Sequence, residues 1–162
     1  MEMGMRASAS LKCWRVSNMN ECLKIYKAAH ACASGLKILR PLSAVLRHLD
    51  QFLFACHIGS RAQIGEGCVF QHNGLGVVIS ERAVIGDRCM LYQHVTIGAL
   101  EDGSEDVPLI GDDVVIGAGA TLLGPIKVGS GAKIGAGAVV LSDVPAGATA
   151  VGIPAKILGE SA

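Results

Sequence analysis

Residues 110–140 read IGDDVVIGAGATLLGPIKVGSGAKIGAGAVV, and their spacing decides the fold. An aliphatic residue returns at every sixth position: Ile110, Ile116, Leu122, Val128, Ile134 and Val140. Four residues after each comes a second small or aliphatic one: Val114, Ala120, Ile126, Ala132, Ala138 and Val144. A period of six fits neither the 3.6 of an α-helix nor the 2.0 of a strand. It is the signature of a parallel β-helix, in which each hexad supplies one short strand and a turn. Three hexads close a triangular coil, and coils bury a continuous core only by stacking. Glycine after the aliphatic position, as in Ile116-Gly117 and Ile134-Gly135, is expected to supply the positive φ of a corner.

The rhythm extends upstream through Ile58, Ile64 and Phe70, then Ile79, Ile85, Leu91 and Ile97. Ala62, Cys68, Ala83, Cys89 and Val95 hold the four-later position, so a compact apolar role accounts for both cysteines without a metal. The reading is mainly β: a coil over 57–151 with a loop at 99–109, then a C-terminal tail over 152–162. Residues 1–17 show no periodicity and are expected to be flexible. Residues 18–56 read as a helical pair. In the first helix Met19, Cys22, Leu23, Tyr26, Ala29 and His30 share a face, with Asn20 as N-cap and Gly35 as stop. Pro41 opens the second, where Leu42, Val45, Leu46, Leu49, Leu53 and Phe54 form an apolar stripe.

The totals agree. A chain of 162 residues favours one domain, and a formal net charge of zero gives no basic face for nucleic acid. Aromatics make up only 4%, which suits a narrow coil filled by aliphatic layers. None of the six cysteines forms a CxxC pair, so they read as thiols of a reducing compartment. The first residues carry no secretory pattern, and the longest apolar segment, Leu42 to Ile58, holds Arg47, His48 and Asp50. A cytoplasmic protein without stable membrane insertion is expected.

Two breaks interrupt the repeat. Phe70 and Ile79 lie nine residues apart around QHNGLGVV, and Ile97 and Ile110 thirteen apart around GALEDGSEDVPL. Loops leaving a rigid solenoid are where such scaffolds carry binding and catalysis. Counting hexads puts Phe70 and Leu91 on one face a coil apart, with His72 and Gln93-His94 just beyond them. The irregular features are expected to cluster at one edge of the prism.

From Ile58 to Leu158 the chain resembles the serine acetyltransferase-like branch of the hexapeptide-repeat acyltransferases. The resemblance is carried by HNGLGVVI, YQHVTIGA, PLIGDDVVIGAGATLLGPIKVGSGAKIGAGAVVL and DVPAGATAVGIPAKIL. It implies a left-handed β-helix, a homotrimer, and acetyl-CoA held between neighbouring subunits. Handedness comes from the resemblance alone, since general crossover rules favour the opposite hand.

The implied chemistry is acetyl transfer from a thioester to a hydroxyl, such as that of serine. The thiolate leaves readily, whereas an alcohol is almost wholly protonated at neutral pH and needs a base. Imidazole, with an ordinary pKa of about 6.5, suits the task. His72 matches the family's catalytic histidine. Gln71, Gln93, His94 and Asp106 are candidate acceptor-side residues, His94 standing where the family usually has a small residue. Family positions toward acetyl-CoA match Gly98, Ala99, Ala118, Lys133, Ala136 and Lys156. No metal is implied.

Two departures bear on the acceptor. The family's cysteine-biosynthetic members pair Asp with His where this chain has Gln71-His72. Their loop places an arginine for the serine carboxylate where this chain has Asp106-Val107-Pro108. An acid there would repel a carboxylate, so the hydroxyl of a surface-polysaccharide sugar rivals serine. Two other readings use the same coil. A γ-type carbonic anhydrase needs three histidine ligands, and the coil offers only His72 and His94. A purely structural trimer would need neither the His72 insertion nor Lys133 and Lys156.

Overall fold

The computed structural model describes residues 21–34, 40–101 and 106–158. Two helices, α1 (Glu21–Ser34) and α2 (Arg40–Phe54), precede a stack of short strands numbered β1 to β15 in chain order. The expected cap Asn20, the stop Gly35 and residues 1–17 lie outside the described residues. Pro41 sits in the first turn of α2, where its missing N–H has no helical partner to lose.

The strands form three parallel sheets, the three faces of a prism. Sheet 1 stacks β1 (His57–Ile58), β4 (Val78–Ile79), β7 (Thr96–Gly98), β10 (Thr121–Leu123) and β13 (Val139–Val140). Sheet 2 holds β2 (Gln63–Ile64), β5 (Val84–Ile85), β8 (Leu109–Ile110) and β11 (Lys127–Val128). Sheet 3 holds β3 (Val69–Phe70), β6 (Met90–Leu91), β9 (Val115–Ile116), β12 (Lys133–Ile134), β14 (Thr149–Val151) and β15 (Lys156–Ile157). Registers run Phe70↔Leu91, Leu91↔Ile116 and Ile79↔Ile97, so residues of one hexad position lie directly above one another. The tail does not continue the coil. β15 folds back antiparallel on β14, pairing Val151 with Lys156.

The two apolar registers of the sequence are the core. Phe70, Ile79, Leu91, Ile97, Ile116 and Leu122 are fully buried, as are Ala62, Ala83, Cys89, Val95, Val114, Ala120, Ala132 and Ala138. Only Ile64 of the six-residue series is half-buried. β2 ends its sheet, so no further coil covers that side. Cys22, Leu23 and Tyr26 of α1 join the core and cap this first coil, and Ala29 is buried on the same helix. The α2 stripe stays largely uncovered, with Leu42, Val45, Leu49 and Leu53 exposed beside Phe52. No helix among the described residues is long and apolar enough to cross a membrane.

The glycines that follow the aliphatic positions do not supply positive φ, contrary to the sequence-based expectation. Gly65, Gly86, Gly117 and Gly135 are absent from the left-handed residues. A Cβ on Gly86 would lie 2.7 Å from the Gly111 carbonyl carbon, and one on Gly117 2.6 Å from the Ala136 nitrogen. Close stacking of successive coils excludes a side chain there. Positive φ falls two residues further on, at Gly67, Arg88, Asp113 and Gly131 along one edge, and at Gly119 and Gly137 along another.

Candidate active site

The edge between sheets 3 and 1 is a ladder of left-handed residues. His94 donates its N–H to the Leu75 carbonyl (2.8 Å), Gly119 to Gln93 (2.9 Å) and Gly137 to Ala118 (2.8 Å). Each rung joins one coil to the next. In the lowest coil the three inserted residues turn this edge into a bulge.

That bulge begins as a tight 3₁₀ turn, Gln71–Gly74, in which His72 (φ 53°, ψ 38°) and Asn73 (φ 55°, ψ 29°) are both left-handed. Two consecutive non-glycine residues in that region carry local strain, of a kind that concentrates at functional sites. The turn closes through Leu75 N–H to the His72 carbonyl (3.2 Å) and Val77 N–H to the Gly74 carbonyl (2.9 Å). It is braced from two sides. Cys22 of α1 packs on Gly74, its sulfur 3.2 Å from where a Cβ would lie. On the other side the His94 ring overlies Gly76 so closely that a Cβ there would overlap its Nδ1. Among the described residues, the imidazole of His72 has no hydrogen-bond partner, and it projects into solvent.

Gln93 lies one coil from His72. Its Oε1 is buried without a hydrogen-bond partner among the described residues. Ala118 and Ala136 follow on the same edge, and a Cβ on the adjoining Gly119 or Gly137 would meet nothing within 4 Å. The edge above His72 is therefore an open shelf of small residues. Such a surface lets an extended ligand approach the backbone.

The second break lies elsewhere. Gly98 ends β7 and Ala99 begins the loop, which rejoins the coil through Asp106, Val107 and Pro108 before β8. This is the edge between sheets 1 and 2. The expected clustering at one edge is thus corrected: one strand of sheet 1 separates the two breaks, because a single hexad turns the chain by one face. Val107 and Pro108 are buried, Asp106 is exposed, and residues 102–105 lie outside the described residues. Lys133 and Lys156 are exposed on strands of sheet 3. The structure therefore brings His72, Gln71, Gln93, His94, Ala118 and Ala136 to one edge. Gly98, Ala99 and Asp106 lie on the next.

Sequence reasoning missed Gly76 and Cys22 as supports of the turn. The NGLG spacing carried a signal for Gly76, since two glycines so close in a broken repeat need a reason. Nothing in the sequence marked Cys22 as a neighbour of Gly74.

The stacked hexads and cornered turns define a hexapeptide-repeat β-helix, and a family model described as bacterial transferase hexapeptide (six repeats) matches residues 108–142. A serine acetyltransferase of Synechococcus elongatus is 43% identical over 118 residues, covering 72% of this chain and 48% of its own. The soybean serine acetyltransferase complexed with serine superposes with a TM-score of 0.78 at 45% identity, over 85% of this chain and 56% of that one. The Brucella abortus serine acetyltransferase in complex with coenzyme A gives 0.79 at 33% identity, over 86% and 55%. The chain belongs to the serine acetyltransferase-like hexapeptide-repeat family, and its solenoid is the left-handed parallel β-helix of that family. It spans about half the length of the curated relatives it matches.

Proposed function

We propose that this chain is an acetyl-CoA-dependent serine O-acetyltransferase working in the cytoplasm as a homotrimer, with His72 as general base. The carrying observation is an exposed imidazole on a strained, doubly braced turn at a bulge in an otherwise regular edge. Relatives named serine acetyltransferase, one seen with serine and one with coenzyme A, supply the substrate classes.

His72 takes the proton of the acceptor hydroxyl as its oxygen bonds to the thioester carbon. The same imidazole returns that proton to the departing thiolate, so protons balance and no covalent enzyme adduct is needed. A base so placed contributes roughly 10² to 10⁴-fold. Gln71, Gln93 and His94 frame the acceptor side. The shelf formed by Ala118 and Ala136 receives the pantetheine arm, and Lys133 and Lys156 receive phosphates. Gly98, Ala99 and Asp106 stand on a different edge from His72, which is compatible with the site between neighbouring subunits of a trimer that the family resemblance implies.

Asp106 favours a second acceptor class. Its exposed carboxylate disfavours an anionic partner, which suits a neutral or amino sugar hydroxyl. Thiol release from acetyl-CoA, measured across serine, homoserine and several amino sugars, decides between them. Saturable, serine-dependent release is expected. Release with a sugar alone transfers the assignment to the second class, and absence of any coenzyme A affinity overturns both.

A further inference from the structure

Outside the edge that carries His72, two buried thiols from distant parts of the chain share a hydrogen bond. The sulfurs of Cys22 and Cys56 are 3.0 Å apart across 34 residues of sequence. Cys22 lies in the first turn of α1, and Cys56 in the link between α2 and β1. Both are buried, at 0% and 2% exposure. A disulfide bond is about 2.05 Å long, so closing the gap asks each sulfur to move only a fraction of an ångström, within reach of small side-chain rotations.

We propose that Cys22 and Cys56 form a reversible disulfide, an oxidative modification site that locks α1 onto the first coil beneath the His72 turn. The oxidant is a peroxide. One sulfur is taken to a sulfenic acid as the O–O bond breaks and one water leaves. The second thiol then attacks that sulfur, the S–S bond forms, and the remaining oxygen departs as a second water. Two electrons pass from the sulfur pair to the peroxide, and a dithiol reductant reverses the step by exchange.

The other close pair is built differently. Cys68 and Cys89 point into adjacent coils and donate to backbone carbonyls, Cys68 to Gly86 (3.2 Å) and Cys89 to Gly111 (3.1 Å). The hydrogen bond the two thiols share holds Cys68 below the ordinary thiol range and, with burial, pushes Cys89 above it, and both sit inside the stacked coils rather than beside a helix that can lift. The Cys22–Cys56 pair instead joins α1 to the link before β1, at the end of the stacked coils. Oxidant reaches it when α1 lifts, so oxidation is slow in the native protein and faster at a urea concentration below the unfolding transition.

The lock bears on the site because the Cys22 sulfur is also the atom packed on Gly74. Drawing it toward Cys56 withdraws one of the two braces of the turn. This consequence rests on the proposed acetyl transfer, whereas the disulfide itself does not.

The test treats the full chain with hydrogen peroxide, alkylates the remaining thiols and maps peptides without reduction. A single bridge linking the Cys22 and Cys56 peptides is expected, together with a rise in melting temperature that dithiothreitol reverses and Cys56→Ser lacks. If Cys22 and Cys56 both stay alkylatable while Cys32 is consumed, or if the bridge joins other cysteines, the proposal is overturned. With the bridge mapped, acetyl transfer should fall severalfold and recover on reduction. Unchanged turnover would overturn the coupling to the turn. Absence of transfer in both forms would refute the proposed function and leave the mapped bridge standing.

Discussion

The imidazole of His94 lies across Gly76, in the space that a side chain on that residue would need. Gly76 itself is left-handed, at φ +66°, and the backbone of His94 is tied to Leu75 next to it. The turn that carries His72 is therefore shaped by a residue one coil away. Gly76→Ala must both push the ring aside and place an L side chain in the left-handed region, a backbone cost of about 1–2 kcal/mol. Transfer should drop roughly tenfold to a hundredfold, since misplacing a base by about 1 Å is enough. Circular dichroism should retain the coil spectrum. Wild-type turnover in the variant would show that the His94 contact does not position His72.

His72→Ala removes the proposed base and leaves the shelf of small residues intact. Turnover should fall by about 10² to 10⁴-fold, with coenzyme A affinity by calorimetry unchanged. Coenzyme A affinity lost in parallel with turnover would place His72 in binding, and retained turnover would remove it from the mechanism.

Asp106 carries the acceptor question. If serine is bound on the loop side, Asp106→Arg converts repulsion of its carboxylate into attraction. The Michaelis constant for serine should then fall severalfold at low ionic strength, with the gain shrinking as salt is added. An unchanged constant at every salt concentration would separate Asp106 from acceptor binding.

The coil was legible because a solenoid repeats its burial demand every hexad. Every small or aliphatic residue from Ala62 to Val144 at the four-later position is buried, and Cys68 and Cys89 take that position as ordinary core residues. The role of the glycines was not legible. Sequence shows that a side chain is missing at Gly86 and Gly117, and only coordinates show that the next coil's backbone is what excludes it. The His72 bulge stood out as a break in the repeat. Its placement on a different edge from the long loop depends on how many faces the chain turns between the two, which a count of residues blurs. Contacts between α1 and the turn, such as Cys22 with Gly74, are long-range packing with no local pattern to announce them.

Tyr26 provides a test of how α1 is held. Its hydroxyl donates to the Ala62 carbonyl inside the first coil, and burial pushes its pKa up to about 12, from 10 in the unfolded chain. A raised folded-state pKa means that the folded protein holds this proton more tightly than the unfolded one. The contribution is therefore complete below pH 10 and is lost as pH climbs from 10 toward 12. Ionisation would place a phenolate against a carbonyl oxygen in a site that excludes water. Urea midpoints should fall between pH 10 and about 12 by more in the wild type than in Tyr26→Phe, and the variant should start lower by about 1 kcal/mol for its missing hydrogen bond. Equal alkaline losses in both proteins would assign the effect to other groups and leave α1 held by its buried Cys22 and Leu23 and by the His30–Ser60 and Lys27–Glu66 contacts.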